Sequence, residues 1–224
     1  MTDDKTYSHE LMKADCFKLL AACFYQPEKA LFQEENVLDN LVEMLQEICS
    51  EAQGHAQRMK TYFEKTDDQE LAVEYATLFV GPFELKAPPY GSIYLEGSHQ
   101  VMGQSTIKTM NLYRAAGLKL DIKEPADHVA IELEFVNYLI LAKVDARASG
   151  DDEQYKSMSN IHRAFFSQFL GKWVPEFCDA VIKVTEEGYY HSLAECLLVF
   201  ITREKKTTDQ LNYQLATKQM SASV

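Results

Sequence analysis

Several things are scarce in this chain, and each scarcity excludes a class. Only 9 glycines and 6 prolines are spread over 224 residues, which excludes collagen-like and proline-rich disordered chains. Basic charge is short: 22 Lys and Arg stand against 34 Asp and Glu, a net charge of −12. A nucleic-acid binder needs a basic footprint, so no nucleic-acid partner is expected. The longest apolar run, Leu19 to Tyr25, is far short of the roughly 20 residues that cross a bilayer, so no stable membrane insertion is expected either. The five cysteines, Cys16, Cys23, Cys49, Cys178 and Cys196, are odd in number and scattered, as reduced thiols in a cytoplasm would be. Cys16 and Cys23 share a helix face with Leu19, Leu20 and Phe24 and read as core. The start, Met1-Thr2-Asp3-Asp4-Lys5, lacks the basic-then-apolar order of a secretory signal, so the expected location is cytoplasmic.

Catalytic motifs are missing as well. There is no Gly-x-Gly-x-x-Gly, P-loop, His-Glu-x-x-His or Gly-x-Ser-x-Gly. The six histidines show no ligand spacing, and His162, beside Phe165 and Phe166, reads as structural. No metal, no cofactor and no enzymatic activity are expected.

What is present is a helical period almost everywhere. Met12, Cys16, Leu19 and Cys23 predict a helix over about Ser8 to Gln26, stopped by Pro27. Val37, Leu41, Leu45 and Ile48 predict a second, and a polar helix or turn follows through Gln57 to Phe63. Asp67 or Asp68 caps the next, which carries Leu71, Tyr75, Leu78 and Phe79 and ends at Gly81-Pro82. Helix resumes from about Thr106 to Gly117. Pro125 is expected in the first turn of an apolar helix that runs to about Ser149 and should be the buried centre. Asp151 or Asp152 starts another, Trp173-Val174-Pro175 is expected to turn the chain, and a further helix carrying Phe177, Val181 and Val184 closes at Gly188. The last strong helix carries Leu193, Leu197, Phe200 and Ile201, and the polar tail from about 207 is expected to fray. The fold class is therefore all-α: a single domain over 1–224, a bundle of roughly nine helices. The connection 118–124 is a candidate hinge, so the chain is expected to be a monomer or a helix-exchanged dimer.

One stretch breaks the period. Residues 81–104 hold four of the glycines and three of the prolines, together with Phe83, Tyr90, Ile93 and Tyr94. A long ordered loop inside a helical domain is commonly functional. A second cluster, Glu124-Pro125-Ala126-Asp127-His128, precedes Glu132 by one turn. On their position alone Asp127 and His128 read first as helix caps, with a ligand role as the alternative, and Glu132 can pair with His128 on the exposed side.

Three runs, in this order, resemble a known family: Tyr75-x-x-Leu78-Phe79-x-Gly81-Pro82, then Pro89-Tyr90-x-Ser92-x-Tyr94, then Glu124-Pro125-x-Asp127-His128. The chain is similar to the TorD/DmsD family of redox-enzyme maturation chaperones, related to the NarJ type. The similarity covers essentially the whole chain, including His162-x-x-Phe165 and Trp173-x-Pro175-x-Phe177. The aromatics at Tyr75 and Tyr90 are often tryptophan in relatives. The resemblance implies a non-enzymatic cytoplasmic chaperone. Its expected partners are the twin-arginine signal peptide and the apo catalytic subunit of a molybdopterin oxidoreductase, held from export until cofactor insertion. The alternatives are an assembly chaperone that acts on the mature region without reading a signal peptide, or a nucleotide-hydrolysing enzyme. The expected peptide-binding residues are Tyr75, Leu78, Phe79, Pro89, Tyr90, Ser92, Tyr94, Glu124, Pro125, Asp127, His128 and Glu132. The acidic half suits a leader that is basic at its start: residues 1–100 carry 8 Lys and Arg against 18 Asp and Glu.

Overall fold

Each apolar stripe needs a partner, and the helices satisfy one another in a ring. A computed structural model of the chain describes residues 2–81, 85–97, 101–119 and 124–222. They form α1 (Thr2–Ala22), α2 (Lys29–Glu34), α3 (Val37–Ile48), α4 (Ser50–Lys65), α5 (Asp68–Tyr75), α6 (Gly91–Glu96), α7 (Gln104–Ala115), α8 (Val129–Ser149), α9 (Asp152–Gln168), α10 (Leu170–Val184) and α11 (Tyr189–Ala222). The described residues contain no strand, only one bridge between Tyr90 and His128. Helix α1 packs on α8 and α3, α3 on α4, α4 on α11, α11 on α10 and α9, and α9 returns to α8. Aromatic rings fill the middle: Phe17 of α1 meets Phe200 of α11 at 4.9 Å, and Phe24 meets Phe177 of α10 at 5.6 Å.

The all-α reading holds, with local corrections. Two short helices, α2 and α6, bring the number to eleven among the described residues. The segment read as polar around Gln57 is a full helix, because Ala52, Ala56, Met59 and Phe63 form a narrow buried stripe under a charged face. Asp67 and Asp151 cap α5 and α9, accepting from Glu70 N at 2.8 Å and Gln154 N at 2.9 Å. Pro175 lies inside α10 rather than in a turn. It sits in the second turn of that helix. The chain bends one residue before α10, at Phe169, and Gly171 is needed there: a Cβ would stand 2.7 Å from Phe166 O. The tail does not leave the bundle at 207. Helix α11 continues to Ala222, Thr208 is buried, and Asn212 Nδ2 donates to Ser167 Oγ at 3.1 Å. Pro82 and Phe83 of the loop and residues 120–123 of the candidate hinge lie outside the described residues. All five cysteines are free and buried. No described helix is long and apolar enough to cross a membrane.

Candidate functional site

The loop and the Glu-Pro-Ala-Asp-His segment, far apart in sequence, meet in one hydrogen-bonded frame. Pro125 to His128 is a tight turn closed by His128 N donating to Pro125 O at 3.0 Å, so Pro125 precedes the helix instead of opening it. The cap of α8 is His128, whose Nδ1 accepts from Ala130 N at 3.2 Å. Asp127 caps a different helix: its Oδ2 accepts from Ser92 N at 2.7 Å, and its carbonyl accepts from Gly91 N at 2.8 Å. Val129 N donates to Pro89 O at 2.9 Å. The chain from Pro89 to Ser92 is thereby laid along the start of α8.

Burial decides the charge states in this frame. His128 is 3% exposed, and burial pushes its imidazole down to about 4, against the pull of the Glu124 and Asp127 carboxylates. A neutral ring that accepts at Nδ1 carries its proton on Nε2. Both His128 and Asp127 are buried, not at an exposed helix start. Glu132 is the larger correction. It is fully buried, and its Oε2 accepts from Trp173 Nε1 at 2.8 Å, so it makes no exposed pair with His128. Burial, reinforced by the Asp127 carboxylate, raises the Glu132 carboxyl well above 4.5 and keeps it protonated. Tyr94 stacks on Trp173 at 5.6 Å, Ser92 is fully buried, and Pro89 and Leu78 are buried too.

Beside this frame lies a cavity of about 180 Å³ lined by Tyr25, Tyr75, Phe79, Tyr90, Glu124 and His128, with Val80 and Leu85. A π-helical turn, Ala76–Val80, closed by Gly81 N donating to Ala76 O at 2.7 Å, brings Phe79 to the cavity and directs Val80 outward. Tyr25 stacks on the His128 ring at 6.1 Å, and Tyr90 approaches it edge-on at 5.4 Å. Tyr90 Oη donates to Glu124 Oε2 at 3.3 Å. Burial and the Glu124 carboxylate push the Tyr90 phenol up to about 12 and raise Tyr75, while burial and the Glu134 carboxylate raise Tyr25, so all three stay protonated donors. Of the twelve residues picked out from sequence, Tyr75, Phe79, Tyr90, Glu124 and His128 line this cavity. Leu78, Pro89, Ser92, Pro125, Asp127 and Glu132 belong to the frame or the core, and Tyr94 packs behind it. Sequence reasoning missed Tyr25, whose partly buried ring follows the end of α1, and the exposed Glu134, which accepts from Tyr25 Oη at 3.2 Å. The described residues contain no cluster that could hold a metal ion.

Against known proteins, residues 25–179 match the family model described as nitrate reductase delta subunit. The chain belongs to the nitrate reductase delta subunit family. It is 26% identical over 179 residues to the chaperone protein TorD of Aliivibrio fischeri, a match spanning 78% of this chain and 81% of that one. It is 30% identical over 144 residues to TorD of Vibrio cholerae, spanning 63% of this chain and 64% of that one. A crystal structure of a candidate redox enzyme maturation protein from Archaeoglobus fulgidus superposes with a TM-score of 0.55 at 24% identity, over 84% of this chain and 93% of that one. That likeness is one of fold. The matched relatives are chaperones, and this member of the nitrate reductase delta subunit family is a chaperone rather than an enzyme.

Proposed function

We propose that the chain is a cytoplasmic maturation chaperone that binds the twin-arginine signal peptide of a molybdopterin oxidoreductase and delays its export until the cofactor is inserted. The observation that carries the reading is the cavity lined by Tyr25, Tyr75, Phe79, Tyr90, Glu124 and His128. At about 180 Å³ it has room for one side chain, not a peptide segment. Its chemistry suits arginine. Aromatic faces attract a guanidinium, Glu124 offers a carboxylate, and the neutral His128 adds no repelling charge. The rest of a leader would lie outside, along exposed Val80 and the half-buried Leu85. Pro89, Ser92, Pro125, Asp127 and Glu132 act by holding the walls in place. The net charge of −12 favours approach of a basic segment.

Titration of an isolated leader peptide tests this. The expected result is binding that weakens roughly tenfold or more when the paired arginines become glutamine, since charge-assisted bonds are lost. Equal affinity for both peptides would remove the arginine reading, and no binding of either would favour a client surface in the mature subunit.

A further inference from the structure

A second and larger cavity lies at the other end of the α1–α8 pair. His128 caps the start of α8 and Lys143 lies fifteen residues on, so the two sites are about 22 Å apart along the helix axis. The second cavity has a volume of about 930 Å³, within the range of small-molecule sites. Its walls are the first half of α1, the end of α8, and the middle stretches of α9 and α11.

The charges there run against the rest of the protein. Among the described residues, Lys13, Lys143, Arg147 and Arg163 line the cavity, against Glu10 and Glu204. The two carboxylates are spent on lysines: Glu10 and Glu204 hold Lys13 at 3.0 and 3.4 Å, and Glu10 lies 3.9 Å from Lys143. Lys143 Nζ donates to the neutral His162 at 2.9 Å, and burial, only partly countered by Glu10, pushes its amine down to about 8. Arg147 lies over the Tyr155 ring at 5.2 Å, and Arg163 donates to Asn160 Oδ1. Neither arginine is paired with a carboxylate among the described residues. In a chain of net charge −12, two guanidiniums with no carboxylate partner among the described residues and a largely buried lysine face one hollow. Apolar side chains share the lining: Leu211 and Leu215 of α11, with 48% and 39% of their surfaces exposed, together with Tyr7 and Val144.

We infer that this cavity binds a small amphipathic organic anion, its carboxylate or phosphate held by Arg147, Arg163 and Lys143 and its acyl or aryl body laid on Leu211 and Leu215. A planar guanidinium recognises either headgroup through paired N–H donors, so the headgroup's chemistry is left to the test. The cationic groups are fixed before the ligand arrives: Tyr155 supports Arg147, Asn160 supports Arg163, and His162 supports Lys143.

The experiment uses the full chain and two fluorescent probes with near-identical aromatic bodies, the anionic anilinonaphthalene sulfonate and the neutral phenylnaphthylamine. Saturable binding of the anion, at least tenfold tighter than the neutral probe and weakened by salt, is expected. Arg147→Ala with Arg163→Ala should weaken the anion roughly tenfold or more, with an unchanged melting temperature. Leu211→Asp, at an exposed position, should do the same by repulsion and serves if the double variant folds poorly. Tyr90→Ala, in the other cavity, should leave the affinity as it is. Displacement by octanoate or by octyl phosphate supports the site and names the headgroup. Equal affinity for both probes, or an affinity unmoved by the arginine and Leu211 variants, overturns it.

Discussion

Trp173 donates its indole N–H to the protonated carboxyl of Glu132 across 2.8 Å, and 41 residues separate the two in sequence. The contact depends on a third residue. A Cβ on Gly91 would stand 2.9 Å from Trp173 Nε1, so only glycine lets the start of α6 rest on the indole. The buried acid thus serves structure: it anchors α10 to α8 and leaves α6 a seat. Gly91→Ala should cost about 1–3 kcal/mol through overpacking. Trp173 is the only tryptophan, so its fluorescence reads this spot alone. A shifted emission with a lowered melting temperature is expected, and an unchanged spectrum would mean the contact is loose.

Glu132 also makes stability depend on pH. Its folded carboxyl is raised above 4.5, so its contribution is full below 4.5 and is lost as pH rises through the raised value. Glu132→Gln keeps an acceptor for Trp173 and cannot ionise. Its denaturation midpoint should therefore fall less than that of the native protein as pH rises above 4.5, in urea titrations at several pH values.

His128 has the opposite sign. Its folded imidazole sits at about 4, below the ordinary 6.5, so its contribution is complete above 6.5 and is lost as pH falls from 6.5 through about 4. Protonation at Nδ1 also removes the acceptor for Ala130 N. His128→Asn retains a capping acceptor without the titration. That variant should show a smaller acid-side loss of stability. A loss equal to that of the native protein would assign the acid sensitivity elsewhere, His162 being the next buried imidazole held low.

Asp127→Asn and Asp127→Ala separate charge from hydrogen bonding at the start of α6. The asparagine oxygen can still accept from Ser92 N, so that variant should stay close to native in stability. The alanine should cost about 0.5–2 kcal/mol and loosen the segment that carries Tyr90. Calorimetric melting of the three proteins checks the order. An asparagine variant as unstable as the alanine would show that the carboxylate charge itself is needed.

The peptide reading makes its own prediction. Glu124→Gln should weaken leader binding by about 1.5–3 kcal/mol and leave melting unchanged, because Glu124 is exposed. Tyr25→Ala should weaken binding too, because it removes one aromatic face. Affinity that survives both changes would move the client to another surface.

The helices were legible because their causes are local. A stripe such as Val37, Leu41, Leu45, Ile48, or a cap such as Asp67 or Asp151, acts within one or two turns of itself. The errors share a different cause. Pro125 and Pro175 carry the same local preference, yet one stands in a turn ahead of α8 and the other inside α10, because packing on distant elements set where each helix began. The polar tail past 207 looked solvated until Ser167 and the α9 face were there to receive it.

The amino-acid sequence alone determined the all-α class, most of the helix boundaries and the two segments that build the site, since short-range periodicity, capping and the Pro/Gly/aromatic composition specify them. Only the tertiary structure decided which polar residues face solvent. Asp127 meets Ser92 across 35 residues and Glu132 meets Trp173 across 41, and no local pattern tells a carboxylate that will be buried by such a partner from one that will be hydrated. The same holds for the cavity: Tyr25, Phe79, Tyr90 and His128 come from four elements, and their rings converge only when the helix ring closes.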